Sequence, residues 1–544
     1  MRLMAALAFT FLLNVAATAA QTDPQAVDQL FAAYEKAGSP GCALGVIRDG
    51  AFIYSKGYGL ASVELGVPLS PSSVFYMASV SKQFTAASIV LAAEQGFLSL
   101  DDEIHKYFPE LPDYGQPVTL RQMLHHTSGF RDYLDLLGLS GRNILDVHTT
   151  AELMDLIARQ KALNFSPGGE SLYSNTNYFL LAEVIKRATQ KPLSVFAEEN
   201  IFRPLGMSHT RFFDDKNVVV AGRVPAYEPG SGDSYRVGWS TNFDGVGDGG
   251  LMSSVEDLLL WDKNFYDNRL GKGTLLKEML TRGTLSNGKT IDYALGLQMG
   301  SYHGMPTIEH GGALFGYRTE ILRFPEQRFS VICLCNLASA NASGLSRGVA
   351  DVYLKVAAPP VPAHPAKGTV EKAPGSEAHT LEGKYQNRKD HSVVQFKVAD
   401  NTLQVFGMSL KRVGHNRFVT PMGPTVSFEI MNGKMKVTAK DGDRTMFEGI
   451  RIDELHLGEP ALKAYAGEYK STELDATYKL IVDNGSLTLR AGWNREVKLE
   501  PLVADEFAIG QLGTAVFRRD ATDHVSGLSV YSGRIRGVGF ERTH

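Results

Sequence analysis

Apolar residues recur at helical spacing in the stretch that follows Ser79. Four of them share roughly one face of a helix: Phe84, Ala87, Val90 and Leu91. Gly96 is a typical residue for the end of such a helix. The pattern therefore predicts a buried helix that starts at Ser79, with Lys82 one turn later on the same side.

Other patterns predict both helices and antiparallel strands, so the expected fold class is α+β. Helices are predicted at 24–37, 119–126 and 150–162, and onward from 176 and from 254. Strands are predicted at 42–48, 51–57, 307–310, 317–324 and 330–335, and the last three are predicted to form an antiparallel sheet. The first two strands flank Asp49-Gly50, which predicts a tight hairpin turn.

The C-terminal third alternates apolar and polar residues, which is typical of β-strands. Its two halves resemble each other, because Leu-Glu-Gly-Lys-Tyr at 381–385 is echoed by Tyr-Ala-Gly-Glu-Tyr at 465–469. We therefore predict two small antiparallel β-barrels of lipocalin-like type. The predicted parts are a Pro-rich linker at 357–377 and barrel domains at 378–456 and 457–544.

Composition and the N-terminal sequence predict where the protein is located, and they exclude nucleic acid as a partner. The formal net charge of −4 offers no basic face for nucleic acid. Residues 1–20 join Arg2, an apolar run and a small-residue cleavage site before Gln21, which is typical of a signal peptide. The run is shorter than the roughly 20 residues of a membrane span. We expect a periplasmic or secreted protein that has no transmembrane segment after signal removal. Its first domain, which precedes the Pro-rich linker, is predicted at 21–356.

The cysteines and histidines give no metal-ligand spacing. Cys333 and Cys335 lie on the same face of a strand-like run, so buried thiols are expected, while a bridge from Cys42 to either stays open in an exported chain. The adjacent His125 and His126 point about 100° apart on a helix and cannot easily share an ion. We therefore predict no metal and no other cofactor.

The residues Ser79-Val-Ser-Lys82 can form a pair of nucleophile and base if they lie at the start of a helix. A serine hydroxyl needs a base to take its proton, and a partly desolvated lysine has a lowered pKa that suits this task. The helix N-terminus favours an oxyanion through its potential and its free N–H groups. The same pattern also occurs on solvated helix surfaces, but the apolar flanks favour a buried pair.

Two further segments offer polar groups at loop ends or beside glycines. A Gly- and Pro-rich loop presents Tyr173 and Asn175 before a long apolar helix, where sites are often built. A packed tyrosine and a helix-capping asparagine are the structural alternative. The glycines of His310-Gly-Gly312 allow a ligand backbone to approach a strand closely.

Two other motifs are better explained by structure than by chemistry. The glycine run at 245–250 lacks the Lys-Ser/Thr ending of a phosphate loop and indicates a sharp bend before the next helix. Gly344-Leu-Ser346-Arg-Gly348 matches a nucleophile elbow, but several residues separate it from the preceding strand, whereas an elbow follows its strand directly.

The serine–lysine motif, the Tyr173 loop and the His310 strand occur in the order found in serine beta-lactamases and penicillin-binding proteins. Together they resemble that superfamily, nearest its class C-like branch with D-aminopeptidases and esterases. The likeness runs over about 27–353. It implies a beta-lactamase/transpeptidase-like catalytic domain, built from an antiparallel sheet flanked by helices.

The resemblance implies a role for each matched residue. Ser79 would be acylated, Lys82 would be its base, and Tyr173 would relay protons to the leaving group. Asn175 would hold the substrate amide and Lys82. The backbone N–H groups of Ser79 and Ala313 would form the oxyanion hole.

The third motif departs from the penicillin-type pattern. His310 replaces its Lys and Gly311 replaces its Thr, while Gly312 is retained. The lost groups help to hold a carboxylate, so strong beta-lactamase or carboxypeptidase activity is not expected. The substitution resembles the D-aminopeptidase and esterase relatives.

These observations predict an exported serine hydrolase that acts through an acyl-enzyme on D-amino-acid amides or short peptides. The first alternative is a carboxylesterase of the same fold. The others are a D,D-peptidase or weak beta-lactamase, and a non-catalytic penicillin-binding protein. The expected partner is a small-molecule or short peptide substrate, and a homodimer stays open.

Overall fold

The computed structural model describes residues 24–238, 242–354, 375–420, 423–441, 444–492 and 495–543. The predicted signal peptide at 1–20 and most of the predicted linker, 357–374, lie outside these described residues. Helices and strands both occur within them, which confirms the α+β class. No helix in the described ranges is long and apolar enough to cross a membrane.

The helices lie mostly in the N-terminal region, 24–354. They are α1 (Pro24–Phe31), α2 (Lys82–Glu94), α3 (Leu120–Leu124), α4 (Tyr133–Leu139), α5 (Thr150–Ala158), α6 (Asn175–Thr189), α7 (Leu193–Ala197), α8 (Arg203–Leu205), α9 (Val255–Asp267), α10 (Leu275–Met279), α11 (Ala342–Leu354), α12 (Gly375–Thr380) and α13 (Glu459–Lys463). The helices predicted from the sequence are all present, with ends that differ by a few residues.

The strands of the N-terminal region are β1 (Cys42–Arg48), β2 (Ala51–Tyr58), β3 (Leu60–Ser62), β4 (Val67–Pro68), β5 (Phe75–Tyr76), β6 (Arg211–Phe212), β7 (Ala226–Pro229), β8 (Tyr235–Gly238), β9 (Leu251–Ser253), β10 (Gln298–Tyr302), β11 (Met305–Leu314), β12 (Tyr317–Phe324) and β13 (Phe329–Cys335). Six of them form an antiparallel sheet in the order β10-β11-β12-β13-β1-β2. The hairpin and the three later strands predicted from the sequence are confirmed.

Helices cover both faces of this sheet. α1 and α11 pack on one face, where the core includes Phe31, Val331 and Val349. α9 packs on the other face, against β1 and β13, and leads to the helices around α2. The strand predicted at 307–310 continues to Leu314, so the two glycines after His310 lie within β11 and not beyond its end.

The helix predicted to start at Ser79 differs in two respects. Residues Ala78–Ser81 form a 3-10 turn, and the α-helix starts only at Lys82. The helix is buried on every side from Lys82 to Ala92, not on one face, because α6, α7 and α10 all pack against it. Ser79 therefore lies in the turn that enters a central helix.

The expectation of buried thiols at Cys333 and Cys335 is wrong for Cys335, and the bridge from Cys42 that the sequence left open is formed. Cys42 on β1 lies directly opposite Cys335 on β13, and the two form a disulfide. Cys333 is a buried free thiol. The bridge depends on which strand pairs with β1, and this pairing joins segments that are 293 residues apart.

The C-terminal strands form two barrel-like sheets. The first contains β14 (Gly383–Gln386), β15 (Val393–Ala399), β16 (Thr402–Val405), β17 (Met408–Ser409), β18 (Lys411–Gly414), β19 (Arg417–Val419), β20 (Thr425–Met431), β21 (Lys434–Asp441) and β22 (Arg444–Ile452). Its edge strands, β17 and β18, are separated along the chain only by Leu410, so this sheet is nearly closed.

The second sheet is a closed barrel. It contains β23 (Gly467–Ser471), β24 (Ala476–Asp483), β25 (Ser486–Ala491), β26 (Arg495–Val503), β27 (Glu506–Ala508), β28 (Thr514–Arg519), β29 (Val525–Ser532) and β30 (Ile535–Thr543). The internal repeat has a structural counterpart, because Tyr385 OH donates to Leu381 O and Tyr469 OH donates to Tyr465 O.

The second barrel packs tightly against the N-terminal region. Arg131 and Glu473 form an ion pair over 2.6 Å, with only 3% and 8% of their side chains exposed. Arg131 also donates to the main-chain oxygens of Arg536 and Gly537, near the start of β30. Tyr478 OH donates to Leu139 O. This contact brings a barrel loop beside Tyr173.

Candidate active site

Ser79 lies in a 3-10 turn that is fixed on both sides. Ala78, the residue before it, adopts a φ of 47°, which an alanine rarely does and which needs support from its surroundings. The Ser81 hydroxyl donates to Ala78 O over 2.6 Å and accepts from Leu251 N over 3.1 Å. The turn thus directs Ser79 Oγ towards Lys82, whose Nζ lies 3.2 Å away.

Lys82 is fully buried and makes three hydrogen bonds. Its Nζ donates to Ser79 Oγ over 3.2 Å, to Asn175 Oδ1 over 2.8 Å and to Asp248 O over 2.6 Å. Burial lowers the pKa of Lys82 to about 7, although the carboxylates of Asp248 and Asp132 oppose this shift. An amine with this pKa can serve as a base at neutral pH.

Tyr173 contacts the other side of the same hydroxyl. Its OH donates to Ser79 Oγ over 2.8 Å. Its ring lies 4.3 Å from the ring of His126, and Lys82 Nζ is 4.8 Å from its centroid. Burial raises the pKa of Tyr173, so the phenol keeps its proton and is suited to donate it. The alternative of a tyrosine that only packs under a loop does not account for the bond to Ser79.

Asn175 is oriented by a residue that the sequence analysis missed. Its backbone N and its Nδ2 both donate to Asp132 Oδ2, over 2.7 and 2.9 Å. This leaves Asn175 Oδ1 facing Lys82. The side chain of Asn175 is not a helix cap, because it is the first residue of α6 and points into the site. Asp132 itself caps α4 by accepting from Leu134 N, which is the one signal the sequence contained.

Strand β11 passes directly beside the Ser79 turn. A Cβ at Gly312 would lie 2.4 Å from Met77 O and 2.3 Å from Thr319 Oγ1, so only glycine allows this approach. Ala313 is the next residue of the strand. A Cβ at Gly311 would instead meet Glu320 Oε2, at 2.9 Å.

His310 is buried and uncharged. Its Nε2 lies 3.0 Å from Tyr293 OH and its Nδ1 lies 2.7 Å from Gly311 O. Burial lowers the pKa of His310 to about 4, and the nearby Lys82 adds to this shift. The position therefore offers a neutral imidazole and no cation.

Two further residues near the site come from distant parts of the chain. Asp248 lies in the glycine run and reaches Lys82 through its main-chain oxygen. Arg534 lies in the barrel turn between β29 and β30, with its guanidinium 3.3 Å from Asp132 Oδ2 and 4.7 Å from the Tyr173 ring centroid. No local pattern in the sequence indicates either contact.

The remaining candidates lie outside the site. Ser346 is a buried residue within α11, which excludes the nucleophile-elbow interpretation of its motif. In the described ranges, the one group of three potential metal ligands is Cys42, Cys333 and Cys335, and two of these are bonded to each other.

Known proteins share this fold and these segments. A family model described as Beta-lactamase matches residues 27–353. A D-aminopeptidase of Gluconobacter oxydans is 30% identical over 330 residues, which are 61% of this chain and 61% of that protein. A D-aminopeptidase of Brucella anthropi is 27% identical over 535 residues, which are 92% of this chain and 95% of that protein.

One solved structure shares the fold over most of the chain. The octameric penicillin-binding protein homologue from Pyrococcus abyssi superposes with a TM-score of 0.55 at 21% identity, over 87% of this chain and 99% of that chain. The family match covers more than half of the residues. The chain therefore belongs to the beta-lactamase family and is a hydrolase of the serine beta-lactamase type.

Proposed function

We propose that this protein is an exported serine hydrolase that acts through an acyl-enzyme on D-amino-acid amides and short peptides with an N-terminal D-residue. One observation carries the catalytic part of the proposal. Ser79 Oγ lies within hydrogen-bond distance of both Lys82 Nζ and Tyr173 OH, in a buried site beside the backbone of β11. Such a contact gives one hydroxyl a base and a proton donor at the same time.

Acylation uses these groups in sequence. Uncharged Lys82 takes the hydroxyl proton of Ser79 as Oγ bonds to the substrate carbonyl carbon. The backbone N–H groups of Ser79 and Ala313 hold the resulting oxyanion. The C–N bond then breaks, and the leaving amine receives a proton from Tyr173 OH, which is replaced from the Lys82 ammonium. Asn175 orients both Lys82 and the substrate amide.

Deacylation reverses the proton path. A water molecule attacks the ester carbon and gives its proton to uncharged Lys82 through Tyr173. Ser79 Oγ regains a proton as the acid leaves, so the enzyme returns to its starting state. Every proton in this cycle stays on the three groups, the water and the substrate, and no metal is required.

The substrate class rests on His310 and on the relatives. A neutral imidazole at the third motif offers no cation for the carboxylate of a penicillin-type substrate. Two of the related proteins are D-aminopeptidases, one of them aligned over nearly the whole chain. A carboxylesterase is the second candidate, because the lack of a cation at the third motif also suits an uncharged ester.

Export is supported by the disulfide. Cys42 and Cys335 are bonded across two central strands, and disulfides persist mainly in oxidising compartments. This agrees with the signal peptide predicted at 1–20.

The test compares three substrates: D-alanine p-nitroanilide, L-alanine p-nitroanilide and p-nitrophenyl acetate. We expect the mature protein to cleave the D-anilide and Ser79→Ala to lose at least about 1,000-fold in kcat/KM. The matched control is Ser88→Ala, which replaces a buried serine on α2 whose hydroxyl donates to Phe84 O, and this variant should stay active. Cleavage of the acetate alone would favour the esterase, and activity retained by Ser79→Ala would refute the proposal.

A further inference from the structure

The glycine run at 245–250, which the sequence presents only as a bend, brings Asp248 to the buried end of Lys82. Of the three hydrogen bonds of Lys82 Nζ, the one to Asp248 O is the shortest, at 2.6 Å. The neighbouring main-chain oxygen, Gly247 O, accepts from the Thr85 hydroxyl over 2.7 Å. Two successive carbonyls of the run are thus bound to α2.

Two glycines of this run are required for that approach. A Cβ at Gly247 would lie 2.5 Å from Tyr178 O, and a Cβ at Gly249 would lie 2.6 Å from Tyr76 OH. Gly247 also has a φ of 113°, a region that side chains disfavour. The glycines are therefore explained by the close packing of the run against Tyr178 and Tyr76 and not by a bend alone.

The side chain of Asp248 is buried next to the same lysine. Only 7% of the residue is exposed, and its Oδ2 accepts from Tyr133 OH over 3.0 Å. Burial raises the pKa of the Asp248 carboxyl, and the charge of Lys82 opposes this shift. The Asp248 carboxyl and the Lys82 amine are thus both buried and act on each other's pKa, in a site where charges interact strongly.

We propose that Asp248 is a positioning residue that sets the protonation of Lys82. Its main-chain oxygen fixes Nζ beside Ser79, and its carboxylate stabilises the ammonium form. The inference rests on the proposed role of Lys82 as the base. It means that Asp248 determines the pH above which Ser79 becomes nucleophilic.

The other charged groups around the pair do not supply this function. The groups that also face it are Tyr76, Asp132, Tyr133, Tyr173 and Arg534. Burial lowers the pKa of His126 and of His310, so both rings are neutral at pH 7. Asp132 accepts from both N–H groups of Asn175 and from Arg534, and of the two carboxylates that act on Lys82, Asp248 has the larger effect.

The sign of the effect follows from the charges. A nearby carboxylate favours the protonated amine, so its removal lowers the pKa of Lys82. Asp248→Asn should then have an uncharged Lys82 at lower pH than the wild type. A purely structural role would reduce the rate at every pH without moving the midpoint.

The experiment measures the rate at which a fluorophosphonate labels Ser79, by intact mass, between about pH 5 and 9. This readout needs no knowledge of the substrate. The wild-type rate should rise through a midpoint near the Lys82 pKa of about 7. The midpoint of Asp248→Asn should fall by about one pH unit. Asp244→Asn is the matched control, because it removes the same charge from the same segment, where Asp244 faces Lys216, and its midpoint should equal that of the wild type.

Tyr133→Phe provides a second variant if Asp248→Asn fails to fold. It removes the hydrogen bond to the carboxylate, weakens the anion and should shift the midpoint in the same direction by a smaller amount. A midpoint unchanged in both folded variants, or in Tyr133→Phe alone if the other does not fold, overturns the inference. A wild type that is not labelled, or that is labelled at another residue, would instead overturn the proposed function, and this inference with it.

Discussion

Gly312→Ala is the substitution that most directly tests the contact between β11 and the Ser79 turn. The added Cβ would lie 2.4 Å from Met77 O and 2.3 Å from Thr319 Oγ1. These atoms are held together, since the Thr319 hydroxyl donates to Met77 O over 2.9 Å. The Thr319 hydroxyl can therefore avoid the added Cβ only by giving up that bond, and Met77 O is a main-chain atom that moves only with the turn.

The magnitude follows from the overlap. Each contact must lengthen by about 1 Å to reach ordinary van der Waals separation, so the turn and the strand must separate by a similar amount. A misplacement of about 1 Å between nucleophile and oxyanion donor reduces the rate by about 100-fold, which corresponds to about 2.7 kcal/mol in the activation free energy. Overpacking should also lower the free energy of unfolding by about 1–3 kcal/mol.

Two quantities are measured: kcat/KM for D-alanine p-nitroanilide, and the free energy of unfolding from urea denaturation. Gly300→Ala is the matched control, because Gly300 lies on β10 of the same sheet and its added Cβ would meet side-chain ends and no main chain: the Thr307 hydroxyl at 2.9 Å and Glu309 Oε1 at 3.7 Å. The control should keep kcat/KM within about threefold of the wild type. If Gly312→Ala also stays within that range, the strand does not position the oxyanion hole.

Three further predictions concern the pH profile, the barrel contact and the mature N-terminus. The kcat/KM of the wild type should rise between about pH 6 and 8, because the pKa of Lys82 is lowered to about 7 and only the uncharged amine acts as a base; a flat profile there would exclude this role. Arg131→Ala should lower the free energy of unfolding in urea by about 3–5 kcal/mol, because it leaves Glu473 buried without its partner. Arg490→Ala is the control, because it breaks an exposed ion pair and should lower the free energy of unfolding by at most about 1 kcal/mol. Equal losses in the two variants would mean that the buried ion pair contributes no extra stability. Mass spectrometry of exported protein should find Gln21 at the N-terminus, and a retained Met1 would contradict the predicted cleavage.

The candidate site could be predicted where its residues lie close together in the sequence. Ser79 and Lys82 are one turn apart, so their contact follows from local geometry whether the turn is α or 3-10. Tyr173 and Asn175 could be predicted because a glycine-rich loop before an apolar helix often presents functional side chains. The 3-10 start itself could not be predicted, since it depends on Leu251 N bonding to Ser81.

Contacts between distant segments could not be predicted from one sequence. Arg534 reaches Asp132 only because a barrel loop docks on the N-terminal region, and no periodicity reports such docking. The Cys42–Cys335 bridge likewise depends on the pairing of β1 with β13. The two barrels, in contrast, could be predicted, because the alternating strands and the internal repeat are visible in the sequence itself.

The proposed mechanism requires that Ser79 is acylated during turnover. The most direct measurement is acid quenching of the enzyme during hydrolysis of D-alanine p-nitroanilide, followed by peptide mapping by mass spectrometry. We expect a D-alanyl ester on the peptide that contains Ser79, and none on the same peptide of Ser79→Ala. Steady hydrolysis with the acyl group on another residue, or turnover by Ser79→Ala at the wild-type rate, would contradict it.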